Sequence, residues 1–271
     1  MDNRPIGVFD SGLGGLTCVR ELERVLPGES VIYFGDTGRV PYGGRSRETI
    51  TKYARQDVAF LRSHDLKAIV IACGTVSSAA IELLRAEEAL PIFGVVEPTA
   101  RRAVELTKNG RIGLIATRAT IASGAYEQFM HRADRAVQIR SVPCPLFVPL
   151  VENGRTQRGD IVIETVVADY LAPLKEAGVD TLVLGCTHYP LLREVIGAYM
   201  GPDVRLVDSG AEVAHELADY LARRDQLSDG GAPGHHHWFV SDSQQGFRDL
   251  ASHFLGRPVT EPVDKVDIES Y

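Results

Sequence analysis

The chain has 271 residues, 44% hydrophobic and 24% charged, an ordinary globular composition with length for two modest lobes or one large domain. A formal net charge of -7 supplies no basic field to attract nucleic acid or an anionic lipid surface. No apolar run approaches the roughly 20 residues that span a bilayer, and residues 1–5 lack the charged-then-apolar layout of a signal peptide, so the cytoplasm is the expected location.

Residues 5–9 read as a first strand ending in Asp10-Ser11-Gly12-Leu13-Gly14-Gly15, with an amphipathic helix over 16–26. The glycine pattern is not G-x-G-x-x-G, so the turn is read as an anion-binding one whose free N–H groups suit a carboxylate. A strand over 31–34 opens into the glycine-rich loop 35–45, where Asp36, Pro41 and Tyr42 suggest a substrate clamp. A helix over 46–64 buries Ile50, Tyr53, Ala54, Val58 and Leu61.

The run Ile69-Val70-Ile71-Ala72-Cys73-Gly74-Thr75 is a buried strand that stops at a cysteine. A helix over 76–90 and a strand over 92–96 follow, and Glu97-Pro98 is expected to break the chain there and mark a lobe boundary. The alternation restarts with strands at 111–115 and 137–142, a helix near 121–131 and a long helix over 159–177. The run Leu182-Val183-Leu184-Gly185-Cys186-Thr187-His188 then answers the first cysteine strand. A strand over 204–207 leads to Asp208-Ser209-Gly210, an echo of Asp10-Ser11-Gly12. A helix to about 223, a Gly/His-rich loop over 228–237 and a last strand over 238–241 complete the chain.

This alternation predicts an α/β fold of two similar lobes, each a mostly parallel sheet covered by helices, with the active site in the crevice between them. Residues 1–97 and 208–271 form the first lobe in this reading, and 98–207 the second. The run His235-His236-His237 is read as a solvated loop rather than a metal site. The cysteines Cys18, Cys73, Cys144 and Cys186 include no Cys-x-x-Cys pair, so neither a disulfide framework nor structural zinc is expected.

Cys18 and Cys144 are read as small buried hydrophobes. Cys73 and Cys186 sit instead where a strand stops and a helix is about to start, a position that favours a thiolate. Carboxylates at Asp10 and Glu152 and the imidazole of His188 are near enough in the pattern to serve them. Two thiols across a crevice suit removal of a proton from one face of a carbon and delivery to the other, which is racemisation or epimerisation. Backbone N–H groups and the hydroxyls of Ser11, Thr75, Thr117 and Thr187 would hold the carboxylate beside the developing carbanion.

These residues resemble the glutamate racemases nearly end to end. The resemblance rests on Ile6-Gly7-Val8-Phe9-Asp10-Ser11-Gly12-Leu13-Gly14-Gly15, on Tyr33-Phe34-Gly35-Asp36 with Pro41-Tyr42-Gly43, and on Ala72-Cys73 with Thr75. It continues through Ser123-Gly124-Ala125-Tyr126, Pro149-Leu150-Val151-Glu152 and Leu184-Gly185-Cys186-Thr187-His188-Tyr189-Pro190, and Asp208-Ser209 closes it. It implies a cofactor-independent enzyme, with neither pyridoxal phosphate nor metal, that makes D-glutamate for peptidoglycan and in most members is a homodimer. It further implies Cys73 and Cys186 as acid and base, Asp10 as helper of Cys73, and His188 with Glu152 as helpers of Cys186. Substrate contacts are implied at Asp10, Ser11, Pro41, Tyr42, Gly43, Gly74, Thr75, Thr117, Thr187 and His188.

The chain departs from the pattern at Gly74, where asparagine is expected, and at Ala116, where glycine is usual. Loss of the amide removes a polar contact worth roughly 1.5–3 kcal/mol when made to a charged group. On the sequence it also leaves space for water or a neighbouring side chain. Racemisation of aspartate or another acidic amino acid is the rival activity, and a binding protein for such a molecule the rival class. A thiol-redox protein fits poorly, because a substrate between the thiols holds them beyond disulfide reach.

Overall fold

A computed structural model describes all residues, 1–271. Ten strands run in chain order as β1 (Ile6–Asp10), β2 (Val31–Gly35), β3 (Ala68–Ile71), β4 (Ile92–Gly94), β5 (Arg111–Ala116), β6 (Gln138–Pro143), β7 (Thr181–Leu184), β8 (Arg205–Asp208), β9 (His236–Val240) and β10 (Val263–Lys265). Every pairing is parallel, and the strands form two sheets, ordered β10-β9-β2-β1-β3-β4 and β6-β5-β7-β8. β1, β3 and β7 are buried along their whole length, as parallel strands covered on both faces by helices must be.

The four-stranded sheet repeats the order β2-β1-β3-β4 strand for strand. Its register repeats as well: Ala72 N donates to Phe9 O at 3.0 Å, and Gly185 N to Ile115 O at 2.8 Å. Cys73 and Cys186 therefore follow equivalent positions, at the carboxyl end of the third strand of each set. In each sheet that strand neighbours the first at the point where the order reverses, the usual place for a ligand crevice.

The halves are not independent. The larger core, 54 buried side chains, draws Val8 and Val70 from one sheet and Leu114 and Val183 from the other, so shared packing joins them. A second cluster of 18 covers the opposite face of β1 and β3 beneath the helix Arg47–Arg62, through Ile50, Ala54, Val58 and Leu61. No helix is long and apolar enough to cross a membrane.

Several elements differ from the sequence expectation. Glu97-Pro98 does not break the chain: both lie in the first turn of the helix Val96–Leu106. Proline is tolerated there because first-turn N–H groups have no partner within the helix. The helix expected over 76–90 is two, Gly74–Ala79 and Ile81–Glu87, and the one expected over 121–131 is two, Arg118–Ser123 and Ala125–Ala133. Gly124 parts the latter pair at φ +65, a left-handed conformation that glycine adopts without strain. Residues 238–241 are not the last strand, since the helix Gln244–Leu255 and β10 follow. His236 and His237 belong to β9 rather than to a solvated loop. They pair with Glu23 (3.0 Å) and Asp264 (2.6 Å), and no group of three or more His, Cys, Asp or Glu side chains is placed to hold a metal.

Candidate active site

The carboxyl ends of β1, β3, β5 and β7 converge on one cavity of about 390 Å³. Its wall contains Ser11, Pro41, Tyr42, Gly43, Cys73, Gly74, Thr75, Thr117, Glu152, Cys186, Thr187 and His188. Asp10 is the exception among the expected residues, being 1% exposed and set behind the wall. Sequence reasoning missed Arg118 and the apolar lining from Cys144, Pro145, Val148 and Pro149. Cys144 and Pro145 precede the short helix Phe147–Glu152 and Val148 and Pro149 lie in it, and its proline and six-residue length hide any helical period. Cys144, expected to be bland, is fully buried yet lines the cavity, its Sγ donating to Val142 O at 3.6 Å.

On the first side, Cys73 caps the helix Gly74–Ala79, and its thiol donates to Ser11 Oγ at 3.5 Å. Here the surroundings disfavour a thiolate, as a carboxylate beside a thiol does. Burial and the nearby Asp10 carboxylate push the thiol up to about 12, against weaker help from Ser11 and the Val76 N–H. Asp10 is itself raised by burial, although His188 and the N–H groups of Gly15, Gly12 and Ser11 act the other way. Its Oδ2 accepts from Gly12 N at 3.1 Å, while Oδ1 is buried with no partner. The glycine turn thus holds the carboxylate of its own Asp10.

On the second side, His188 Nδ1 lies 3.9 Å from Cys186 Sγ and Nε2 lies 3.0 Å from Glu152 Oε1. Burial opposes charge on this imidazole, but the Cys186 and Glu152 contacts outweigh it and hold His188 up to about 10. Raised in this way, the imidazole favours its charged form beside Cys186 Sγ. The turn after β1 reaches this group too. A Cβ on Gly14 would meet Thr187 Oγ1 and lie 2.5 Å from His188 Nδ1, so only glycine lets the two loops meet. Thr17 Oγ1 ties them, lying 2.8 Å from Thr187 O.

The clamp loop is held from behind by charge. Arg39 donates to Asp36 Oδ2 at 2.6 Å and to Asp57 Oδ1 at 3.0 Å, and the Tyr42 hydroxyl donates to Asp36. Asp36 also accepts from Ser241 Oγ at 2.7 Å. Asp36 and Asp57 are both 0% exposed, and burial with the Asp36 charge raises Asp57 well above its ordinary range. Asp57 sits on the apolar face of its helix, where the period predicted only hydrophobes.

Three hydroxyls bridge the halves: Thr75 Oγ1 and Thr120 Oγ1 each lie 3.0 Å from Thr117 Oγ1. Thr117 also caps the helix Arg118–Ser123. The space expected at Gly74 is already filled. A Cβ there would stand 2.6 Å from the carbonyl oxygen of Gly185.

Known proteins resemble this chain along nearly its whole length. The family model described as Asp/Glu/Hydantoin racemase matches residues 6–217. A glutamate racemase of Geobacter metallireducens is 48% identical over 253 residues, 93% of each chain. The crystal structure of the glutamate racemase isoform RacE1 from Bacillus anthracis superposes with a TM-score of 0.93 at 39% identity, covering 98% of both chains. That of a Francisella tularensis glutamate racemase in complex with D-glutamate gives 0.91 at 37% identity over the whole of both. With the family model matched over residues 6–217 and a relative of 48% identity covered almost end to end, the chain belongs to the Asp/Glu/hydantoin racemase family.

Proposed function

We propose that this chain interconverts L- and D-glutamate by moving the α-proton between two thiols, one on each face of the substrate. The observation that carries the reading is Cys73 and Cys186, both free, at equivalent strand ends and in the wall of one cavity. Near full-length relatives that bear the name glutamate racemase support glutamate over aspartate. A binding protein has no use for two such thiols backed by a buried carboxylate and an imidazole.

In the L-to-D direction the Cys186 thiolate takes the proton from the α-carbon. The C–H electron pair stays on that carbon and delocalises into the α-carboxylate. The Cys73 thiol then gives its proton to the opposite face and is left as a thiolate. Charge grows on the carboxylate as the proton leaves, so N–H groups and hydroxyls of Ser11, Thr75, Thr117 and Thr187 stabilise that state most. Asp10 acts through Cys73, and His188 with Glu152 through Cys186.

The same reading makes the enzyme a cytoplasmic homodimer that supplies D-glutamate for peptidoglycan, which rests on the family resemblance. Lobe boundaries near residues 97 and 207 rest on the gap between β4 and β5 and on the end of β8 at Asp208.

The test is incubation of the pure protein, without added cofactor, in heavy water with L-glutamate, D-glutamate or L-aspartate. NMR follows the α-proton and circular dichroism the optical rotation. Exchange with inversion of glutamate is expected. Exchange of aspartate alone would move the substrate, and silence with all three would sink the catalytic reading.

A further inference from the structure

We propose that Arg118 is the cation that gives the cavity its affinity for a substrate with two carboxylates. The inference deepens the reading above and rests on it. Glutamate at neutral pH carries one net negative charge, and it must enter a cavity in a chain whose formal net charge is -7. Of the side chains in the cavity wall, only those of Arg118 and His188 can be cationic. His188 is buried and already engaged, with Nε2 3.0 Å from Glu152 Oε1 and Nδ1 3.9 Å from Cys186 Sγ. Arg118 is exposed, and a guanidinium keeps its charge across the working pH range. Arg101, Arg102 and Arg155 each pair with a carboxylate, whereas Arg118 pairs with none.

The placement of this arginine runs against local preference. It is the first residue of the helix Arg118–Ser123, whose first turn contains no acid. Unpaired N–H groups at a helix start disfavour a cation there. Proteins break such local rules at functional sites. The backbone that carries Arg118 is nevertheless fixed. Thr117 caps the helix by accepting from Thr120 N at 3.3 Å, and its Oγ1 lies 3.0 Å from Thr75 Oγ1 of the other half. A Cβ on Gly43 would stand 3.0 Å from Thr117 Cβ, so the clamp turn lies against the same residue. The positive charge is thereby held at the exposed side of the cavity, next to the clamp and the hydroxyls, while both thiols are buried. A charge at the mouth of a cleft with low-dielectric walls raises the local concentration of an oppositely charged molecule and its on-rate, by about 10-fold or more, and salt screens the effect.

The experiment measures racemisation in both directions by circular dichroism for the parent, Arg118→Ala, Arg118→Lys and Arg118→Glu, at about 20 and about 300 mM salt. Arg118→Ala is expected to raise KM about 10-fold at the lower salt with kcat held within about 2-fold, the signature of lost binding rather than lost chemistry. Arg118→Glu should raise KM further, and Arg118→Lys should bring it back to within about 3-fold of the parent. The gap between parent and Arg118→Ala should narrow at the higher salt. The melting temperature of Arg118→Ala should equal or exceed the parent's, because the helix start loses a disfavoured cation. A KM for Arg118→Ala within about 2-fold of the parent's at low salt would overturn the proposal, as would an Arg118→Lys no better than Arg118→Ala. Calorimetric titration with D-glutamate separates this outcome from failure of the two-thiol reading, since it needs no turnover. A Kd that weakens in Arg118→Ala, in a parent that binds glutamate without racemising it, would defeat the two-thiol reading and support the role of Arg118. A Kd indifferent to Arg118 would overturn that role alone.

Discussion

The two thiols leave equivalent strands of two sheets with the same order and register, yet their surroundings are opposed. Cys73 has a buried carboxylate behind it and a Ser11 hydroxyl in front, and is held as a neutral thiol, with Asp10 raised as well. Cys186 stands beside an imidazole that Glu152 and the thiol keep charged. One thiol thus faces a carboxylate and the other an imidazole. A fold repeat can therefore supply symmetric geometry while neighbouring charges break the symmetry. In the proposed mechanism the return direction swaps these roles, with Asp10 the carboxylate near Cys73 and His188 the imidazole beside Cys186.

The sharpest way to break that comparison is to remove each thiol. Cys73→Ala and Cys186→Ala should each lower racemisation by roughly 10³-fold or more, within the range of general acid–base catalysis. Cys73→Ser should keep more α-proton exchange from L-glutamate than from D-glutamate, because Cys186 still removes the first proton. Equal losses measured by NMR in heavy water would defeat the assignment of the two roles.

Next is the cation. His188→Asn should lower kcat by about 10²-fold, most in the D-to-L direction, where Cys186 must act as an acid. His188 is held at about 10 against an ordinary 6.5, so its folded pKa is raised. The stability it contributes is full below pH 6.5 and is lost as pH rises through about 10. Thermal melts between pH 6 and 10 should show this decline in the parent enzyme and a flatter profile in His188→Asn.

The supports of the Cys73 side are predicted to act on stability instead. Arg39→Ala leaves Asp36 and Asp57 buried without their shared cation, which should destabilise the fold by about 3–5 kcal/mol in denaturant titrations. Asp57→Asn keeps the shape while removing one charge, and should raise KM through the Tyr42 loop more than it lowers kcat. The smallest effect comes from Asp10→Asn. Burial disfavours the Asp10 charge, so its removal should raise the melting temperature by a few degrees even as racemisation falls. A fall in both would mean that the carboxylate stabilises the fold.

Much of this was legible along the chain. Strand ends at Asp10, Cys73, Thr117 and Cys186 could be read because continuous apolar runs that stop at small polar residues have few other meanings. Helix Arg47–Arg62 was readable from its period, with Ser46 as cap, but Asp57 on its buried face was not, since only the fold brings Arg39 there. The helix Gln244–Leu255 had its signal in Phe247, Ala251, Phe254 and Leu255, and went unread. β10, three residues long with two of them charged, has almost no signal.

The sequence alone determined the class of fold, the two cysteine positions and most of the cavity wall, because local hydrophobic period and motif spacing act over a few residues. The tertiary structure decided three things that spacing does not encode. It put Asp10 behind the wall rather than in it, and it gave the two thiols opposite charge environments. It also filled the space at Gly74 with the carbonyl of Gly185, more than a hundred residues further along the chain. Each depends on which surfaces of two sheets meet, and burial and Coulomb interactions act on that meeting, not on neighbours in sequence.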